Sequence, residues 1–202
     1  MKHMYIYING TTKREFVFDK PGHHTVFFTN LEGTVTFKLA RSGVKLDIFG
    51  LYDLNQTARR ALVTVQHHAA PETQSSLLVK AVVSDKASFA FEGLIRIDKD
   101  AQRANAYQKN QNLILSRDAF VSSKPYLEIK ADDVRCTHGS TTGGMNAEVL
   151  YYLMTRGIDT ENARRLYVAG FLGDVFLKLK GQGKKDELIR VRDTIMKPYE
   201  KT

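Results

Sequence analysis

From Met4 to about Cys136 the chain alternates apolar and polar residues at every second position, in a long succession of short runs with no helical period among them. The runs are "YIYIN", "EFVFD", "TVFFTN", "TVTFKLA", "VKLDIFG", "ALVTVQHH", "SFAFEGLIRID", "NLILS" and "YLEIKADDV". Runs of this length, rich in Val, Ile, Phe and Tyr and punctuated by Gly, Asn and Asp, read as strands. Their connections narrow the fold. A sandwich of hairpins wants Asn-Gly or Asp-Gly turns between most strands, and the only such dipeptide is Asn9-Gly10. The later runs instead repeat one frame, an alternating strand followed by a polar corner ending in Ala or Val: "SDKASFAFEGLIRIDKDAQRANAY", "NLILSRDAFVSS", "YLEIKADDVRCTHG". Small residues at successive corners (Ala87, Ala101, Ala119, Ala131) suit coils stacked at strand spacing, because a larger side chain would collide with the coil above. The pattern predicts a mainly β chain wound as a solenoid.

After Gly143-Gly144 the period changes. "NAEVLYYLMTRGI" has Asn146 as N-cap, Val149, Leu150 and Leu153 on one side and Gly157 as stop, which predicts a short helix. "DTENARRLYVAGFLGDVFLKLKG" opens with Asp159 and carries Ala163, Leu166, Tyr167, Phe171, Val175 and Leu179 down one stripe, weakened by Gly170 and Gly173. "KKDELIRVRDTIMKPYEK" forms a third helix, expected to end before Pro198. The division expected is therefore 1–144 for the β core and 145–202 for a helical unit. A solenoid has two open ends with unpaired backbone groups, and the helices can cover one side only. A partner against a strand edge follows.

The one cysteine of the chain, Cys136, stands two residues before His138. In a strand, residues i and i+2 share a face at roughly 6 to 7 Å, so thiol and imidazole could share a metal ion. Two ligands are half of a closed zinc site. Asp132 joins their face only if the alternation runs unbroken. The alternative is a packed thiol with the imidazole held in a turn. His23-His24 and His67-His68 are adjacent pairs whose members face opposite sides of a strand, and they read as rim histidines. "HGSTTGG" lacks the Gly-Lys-Ser/Thr ending of a phosphate loop, and no GxSxG elbow is present. A β-helix enzyme acting on polysaccharide would group carboxylates, whereas Asp98, Asp100, Asp118, Asp132 and Asp133 fall where corners normally put them. No enzyme signature results.

The formal charge is +8, and Lys178 to Thr202 holds eight basic and four acidic residues, so half of the excess lies in that segment. Mixed signs with Tyr199 as the single aromatic favour a solvated helical face or an acidic protein partner over nucleic acid. No apolar run reaches the roughly 20 residues of a membrane span, and the N-terminus has no apolar signal core. With one Cys and no possible intrachain disulfide, a cytoplasmic protein is expected.

Four stretches carry a resemblance: "HHAAPETQSSLLVKAVVSDKASFAFEGLIRI", "NAYQKNQNLILS", "PYLEIKADDVRCTHGSTTG" and "LYYLMTRGI", within roughly Leu62 to Gly170. The chain resembles the SufB/SufD family of iron–sulfur cluster assembly scaffolds, on the SufD side, and the order "ADDVRCTHGSTTG" then "LYYLMTRGI" is its most specific signal. The resemblance implies a right-handed parallel β-helix followed by a C-terminal helical domain, without a catalytic activity of its own. It implies a SufC-type ABC ATPase docked on the helices, and a SufB-like or identical subunit joined through the β-helix edge. It also implies a transient iron–sulfur cluster shared with that partner, with His138 as the candidate ligand at the interface and Cys136 as the second candidate. Two departures stand out. Ala119 falls where SufB-type chains carry a proposed acceptor cysteine, and the chain is unusually short, without an N-terminal helical region and several coils. A minimal subunit or a homodimer is the expectation. Met1 to Arg60 fit the solenoid by periodicity alone.

Overall fold

The computed structural model describes residues 4–10, 13–181 and 185–200. The expectations for residues 1–3, 11–12, 182–184 and 201–202, at the ends of the two predicted regions and inside them, lie outside the described residues. Eleven strands come first: β1 (Met4–Asn9), β2 (Glu15–Phe18), β3 (Gly22–Thr29), β4 (Gly33–Leu39), β5 (Val44–Leu54), β6 (Arg59–His68), β7 (Gln74–Val83), β8 (Ser88–Ile97), β9 (Asn105–Ile114), β10 (Phe120–Ile129) and β11 (Arg135–Gly143). Three helices follow: α1 (Ala147–Thr155), α2 (Thr160–Leu179) and α3 (Lys185–Glu200).

Odd strands form one sheet in the order β1-β3-β5-β7-β9-β11, and even strands form the other in the order β10-β8-β6-β4-β2. Every described pairing is parallel. Consecutive strands therefore lie in opposite sheets, and the chain coils as a solenoid rather than folding back in hairpins. The corners explain why turn dipeptides are missing. Asn30, Gln56, Glu72, Asp85 and Arg103 each take a left-handed backbone, with φ between 53° and 60°, and stacked neighbours hold Gln56, Glu72 and Arg103 there. Lys86 N–H donates to the Gln56 carbonyl at 2.9 Å, Glu72 N–H to Gln102 at 2.9 Å and Arg103 N–H to Asp133 at 2.6 Å. The corner alanines sit as expected: Ala87, Ala101 and Ala131 are buried, the last two in a cluster of their own, and half-buried Ala119 packs against the core that holds Ala87.

The lumen of the early coils is aromatic. Phe16, Phe37 and Phe28 stack in turn, Phe28 meets Tyr52 edge-on, and Tyr52 lies 4.6 Å from Phe89 between ring centroids. Tyr52 buries its ring and donates its hydroxyl to the Leu31 carbonyl at 2.8 Å, so no polar atom is stranded. Gly50 makes room for this stack, since a Cβ there would stand 2.4 Å from the Phe28 ring.

The helices cover a face, not an end. Val168, Leu172, Val175 and Leu179 of α2, with Met196 of α3, pack on the outer side of the odd sheet against Phe27, Phe49, Leu51, Leu78, Val82 and Leu113. Strands β3, β5 and β7 are thus buried on both faces along their C-terminal halves, which is why each holds a consecutive apolar stretch there, "VFF" in β3, "IFGLY" in β5 and "AVV" in β7. Asn146 caps α1, accepting from Glu148 N–H at 2.8 Å, and Asp159 caps α2, accepting from Asn162 N–H at 2.9 Å. Two helical expectations are corrected. Leu166 is 49% exposed on the far side of α2, and Val168 and Leu172 take the buried positions. The third helix passes through Pro198 to Glu200. A proline this near the end removes one helical bond, and the Tyr199 hydroxyl binds both Asp53 carboxylate oxygens at 2.9 Å, tying the last turn to β5.

Candidate functional site

The β11 register fixes which way the two predicted ligands point. Cys136 pairs with Ala106 and His138 with Gln108 of β9, and those in turn with Ser75 and Leu77 of β7. Ala106, Gln108, Asn110 and Asn112 are the buried, inward members of β9. Cys136, His138, Ser140 and Thr142 therefore continue the inward columns onto the last strand of the odd sheet, above which no other strand lies among the described residues. Opposite them β10 sets Ser123 over Phe91, Pro125 over Gly93 and Leu127 over Ile95. The Ser140 hydroxyl donates to Ser123 Oγ at 2.8 Å and bridges the two walls. The result is an open mouth at the end of the lumen.

The i, i+2 expectation for Cys136 and His138 holds, but their surroundings differ. Cys136 is half-buried against the corner cluster of Ile95, Ile97, Ala101, Ala104, Ala106 and Ala131, and burial pushes its thiol pKa up. Unaided, it stays a neutral thiol at neutral pH. His138 is exposed. Asp132 does not join them: the corner between β10 and β11 breaks the alternation and leaves Asp132 exposed. Among the described residues no group of three or more His, Cys, Asp or Glu side chains is arranged to hold a metal ion. Any ion held at the mouth therefore needs ligands from elsewhere.

Beneath the mouth lies a polar floor that the sequence reading did not find. Asn112 Nδ2 donates to Asn110 Oδ1 at 2.6 Å and to Thr142 Oγ1 at 3.1 Å, and Asn110 Nδ2 donates to the Val79 carbonyl at 3.2 Å. Gln108 Nε2 donates to the Gly93 carbonyl at 3.2 Å, and the amide fills the space over Gly93 so closely that a Cβ would lie 2.3 Å away. Gln108 Oε1 and Gln66 Oε1 are buried without a hydrogen-bond partner. In "NAYQKNQN" inward and outward positions are equally polar, so only the register with β7 reveals the face.

The histidine pairs correct an expectation. His68 and His24 lie in the core, 0% and 4% exposed, while their neighbours face out as strand alternation requires. His23 pairs with Asp47 at 2.7 Å and His67 with Asp98 at 2.9 Å. His68 is satisfied by Thr73 Oγ1 at 2.7 Å and Ser75 Oγ at 2.8 Å, partners lying beyond a corner and so invisible to a strand pattern. Burial, with a smaller contribution from His67, lowers its pKa to about 4, so it stays neutral.

Comparison with known proteins decides the family. Residues 29–171 match the family described as "SUF system FeS cluster assembly, SufBD core domain". The chain belongs to the SufBD family. The iron-sulfur cluster assembly protein SufD of Escherichia coli K12 is 36% identical over 115 residues, which is 57% of this chain and 27% of that protein. SufD of Bacillus subtilis 168 is 38% identical over 124 residues, covering 61% and 28%. Protein ABCI7, chloroplastic, of Arabidopsis thaliana is 36% identical over 118 residues, covering 58% and 25%. The chain thus aligns with about a quarter of the length of these relatives. Both SufD relatives are named for assembly and not for a catalysed reaction. Among the described residues no helix is long and apolar enough to cross a membrane.

Proposed function

We propose that this chain is a non-catalytic scaffold subunit of a SUF-type iron–sulfur cluster assembly complex in the cytoplasm. A nascent cluster is its cargo, bound between His138 and thiolates of a partner across the β10–β11 end of the solenoid. The observation that carries this reading is the exposed imidazole on the inward column of the last strand, beside an edge that pairs with no other strand among the described residues. Iron accepts imidazole and thiolate ligands, and a cluster that must leave needs an incomplete, exchangeable shell. One imidazole from this chain, completed from across a seam, meets that requirement. Cys136, raised in pKa by burial, is the second ligand, engaged once iron displaces its proton. The partner is a SufB-like subunit or a second copy of this chain.

The helical unit, 145–202, serves a SufC-type ABC ATPase, and α1 is the surface that supports this. Its described side chains include no buried residue, and Val149, Tyr151, Tyr152 and Met154 are 42% to 69% exposed. Charge supports a protein partner over nucleic acid, because Lys178 pairs with Asp174, Arg165 with Glu161, and Arg192 with Asp193 and Glu200. ATP hydrolysis would open the seam and release the cargo. No carboxylate grouping favours a polysaccharide-acting enzyme.

The test is reconstitution with iron and sulfide on the complex with a SufB-type partner. The His138→Ala variant is expected to lose most of the chromophore while the complex still assembles. An unchanged yield overturns the reading.

A further inference from the structure

Two sets of hydrogen bonds, joined through the covalent link between Lys80 and Val79, run from the helical unit to the last strand. The first begins at Lys80, an outward residue of β7 set between the apolar Leu78 and Val82. Its side chain is 6% exposed, its ammonium lies 2.8 Å from Asp174 Oδ2 and donates to the Phe171 carbonyl at 2.9 Å, and it sits 4.7 Å above the centre of the Phe171 ring. A buried ammonium is tolerated only with such partners, and loses much when one is removed. The sheet residue next to it, Val79, offers its carbonyl to Asn110 Nδ2 at 3.2 Å. Asn110 and Asn112 exchange two amide bonds, at 2.6 and 3.2 Å. Asn112 Nδ2 then reaches Thr142 Oγ1 at 3.1 Å and the Thr141 carbonyl at 3.5 Å. Asn110 and Asn112 are 1% and 4% exposed, so water does not compete for these bonds.

We propose that Lys80, Asn110 and Asn112 are positioning residues that couple the seating of α2 on the odd sheet to the placement of β11, and through it to the presentation of His138. β11 is an edge strand bonded to the body on one side only, so a side-chain bracket from the lumen has a large share in holding it. The bracket is anchored on the strand segment that also carries the Lys80 attachment of α2. A shift of α2 that disturbs Asp174 is thereby transmitted to β7 and on to Asn112. The functional meaning of the coupling rests on the reading of His138 given above, whereas its existence is a property of the apo chain.

Hydrogen–deuterium exchange of the full chain without iron, read on peptides spanning residues 135–143, tests it apart from cluster chemistry. Asn112→Ala is expected to speed exchange there about tenfold, and Lys80→Met by about threefold to tenfold. In the double variant the two effects should combine to less than their product, since both cut one line. Asp174→Asn breaks the same link from the accessible side and should shift exchange in the same direction even if Lys80→Met fails to fold. Lys80→Arg should return it toward wild type. Tyr199→Phe, which loosens α3 at Asp53 instead, should leave β11 unchanged. Wild-type exchange in Asp174→Asn and Lys80→Met, multiplicative effects in the double variant, or an equal response to Tyr199→Phe each overturns the coupling. Cluster yield in His138→Ala is a separate readout, so failure here is distinguishable from failure of the functional reading.

Discussion

In the coils built from β2 to β5, inward positions hold Phe16, Phe28, Phe37 and Tyr52 in mutual contact. On the odd sheet the columns of Phe28 and Tyr52 carry Asn110 and Asn112 at β9 and Ser140 and Thr142 at β11, beside columns that hold Gln108, Cys136 and His138. One solenoid is thus filled in two ways. The aromatic half gains its stability from burial and close packing. The polar half binds its amides to one another and to passing carbonyls, and it ends at an edge that no other described strand covers. The polar columns of β11 can stay open to water and offer ligands, whereas on β10 opposite the column of Ile95 stays apolar and ends in Leu127, 41% exposed.

The comparison breaks if truncation costs the same at both ends. Phe28→Ala should destabilise the chain by about 3–5 kcal/mol, measured by denaturant unfolding, and Gly50→Ala should cost more than Gly93→Ala because its clash is with a packed ring instead of an amide tip. A second contrast is pH. His68 has a folded pKa of about 4, below its ordinary 6.5, so the unfolded chain binds the proton first. The contribution is complete above pH 6.5 and is lost as pH falls through the window down to about 4, at about 1.4 kcal/mol per unit. Unfolding titrated across that range should show this slope, and His68→Gln should remove it. Next in size, Gly93→Ala should cost about 1–3 kcal/mol, and most of that cost should vanish in a Gln108→Ala background, where the amide that the new Cβ meets at 2.3 Å is gone. Smallest of all, His138→Ala should change stability by less than about 0.5 kcal/mol, because the ring is exposed.

Much of this was legible in the residues. Period-two alternation, the corner alanines and the absence of hairpin dipeptides give the coil, and the spacing of Cys136 and His138 gives their common face. The seating of the helices was also encoded, in runs such as "SLLVKAVV" that are apolar on both faces, although Lys80 in the middle of that run has no meaning until Asp174 is found opposite. What a strand pattern cannot carry is the partner one coil away. The left-handed corners at Gln56, Glu72 and Arg103 are held by stacked neighbours, and His68 is buried because Thr73 and Ser75 reach it from beyond a corner. Asn110 and Asn112 look like surface residues until the register with Val79 and Ala81 turns them inward.

The most direct test is nitrogen hyperfine coupling to the reduced cluster, measured by pulsed electron paramagnetic resonance on the reconstituted complex. An imidazole nitrogen coupling that disappears in His138→Ala is the expected result. A spectrum without any histidine nitrogen, or one that His138→Ala leaves intact, contradicts the claim that this mouth presents His138 to the cargo.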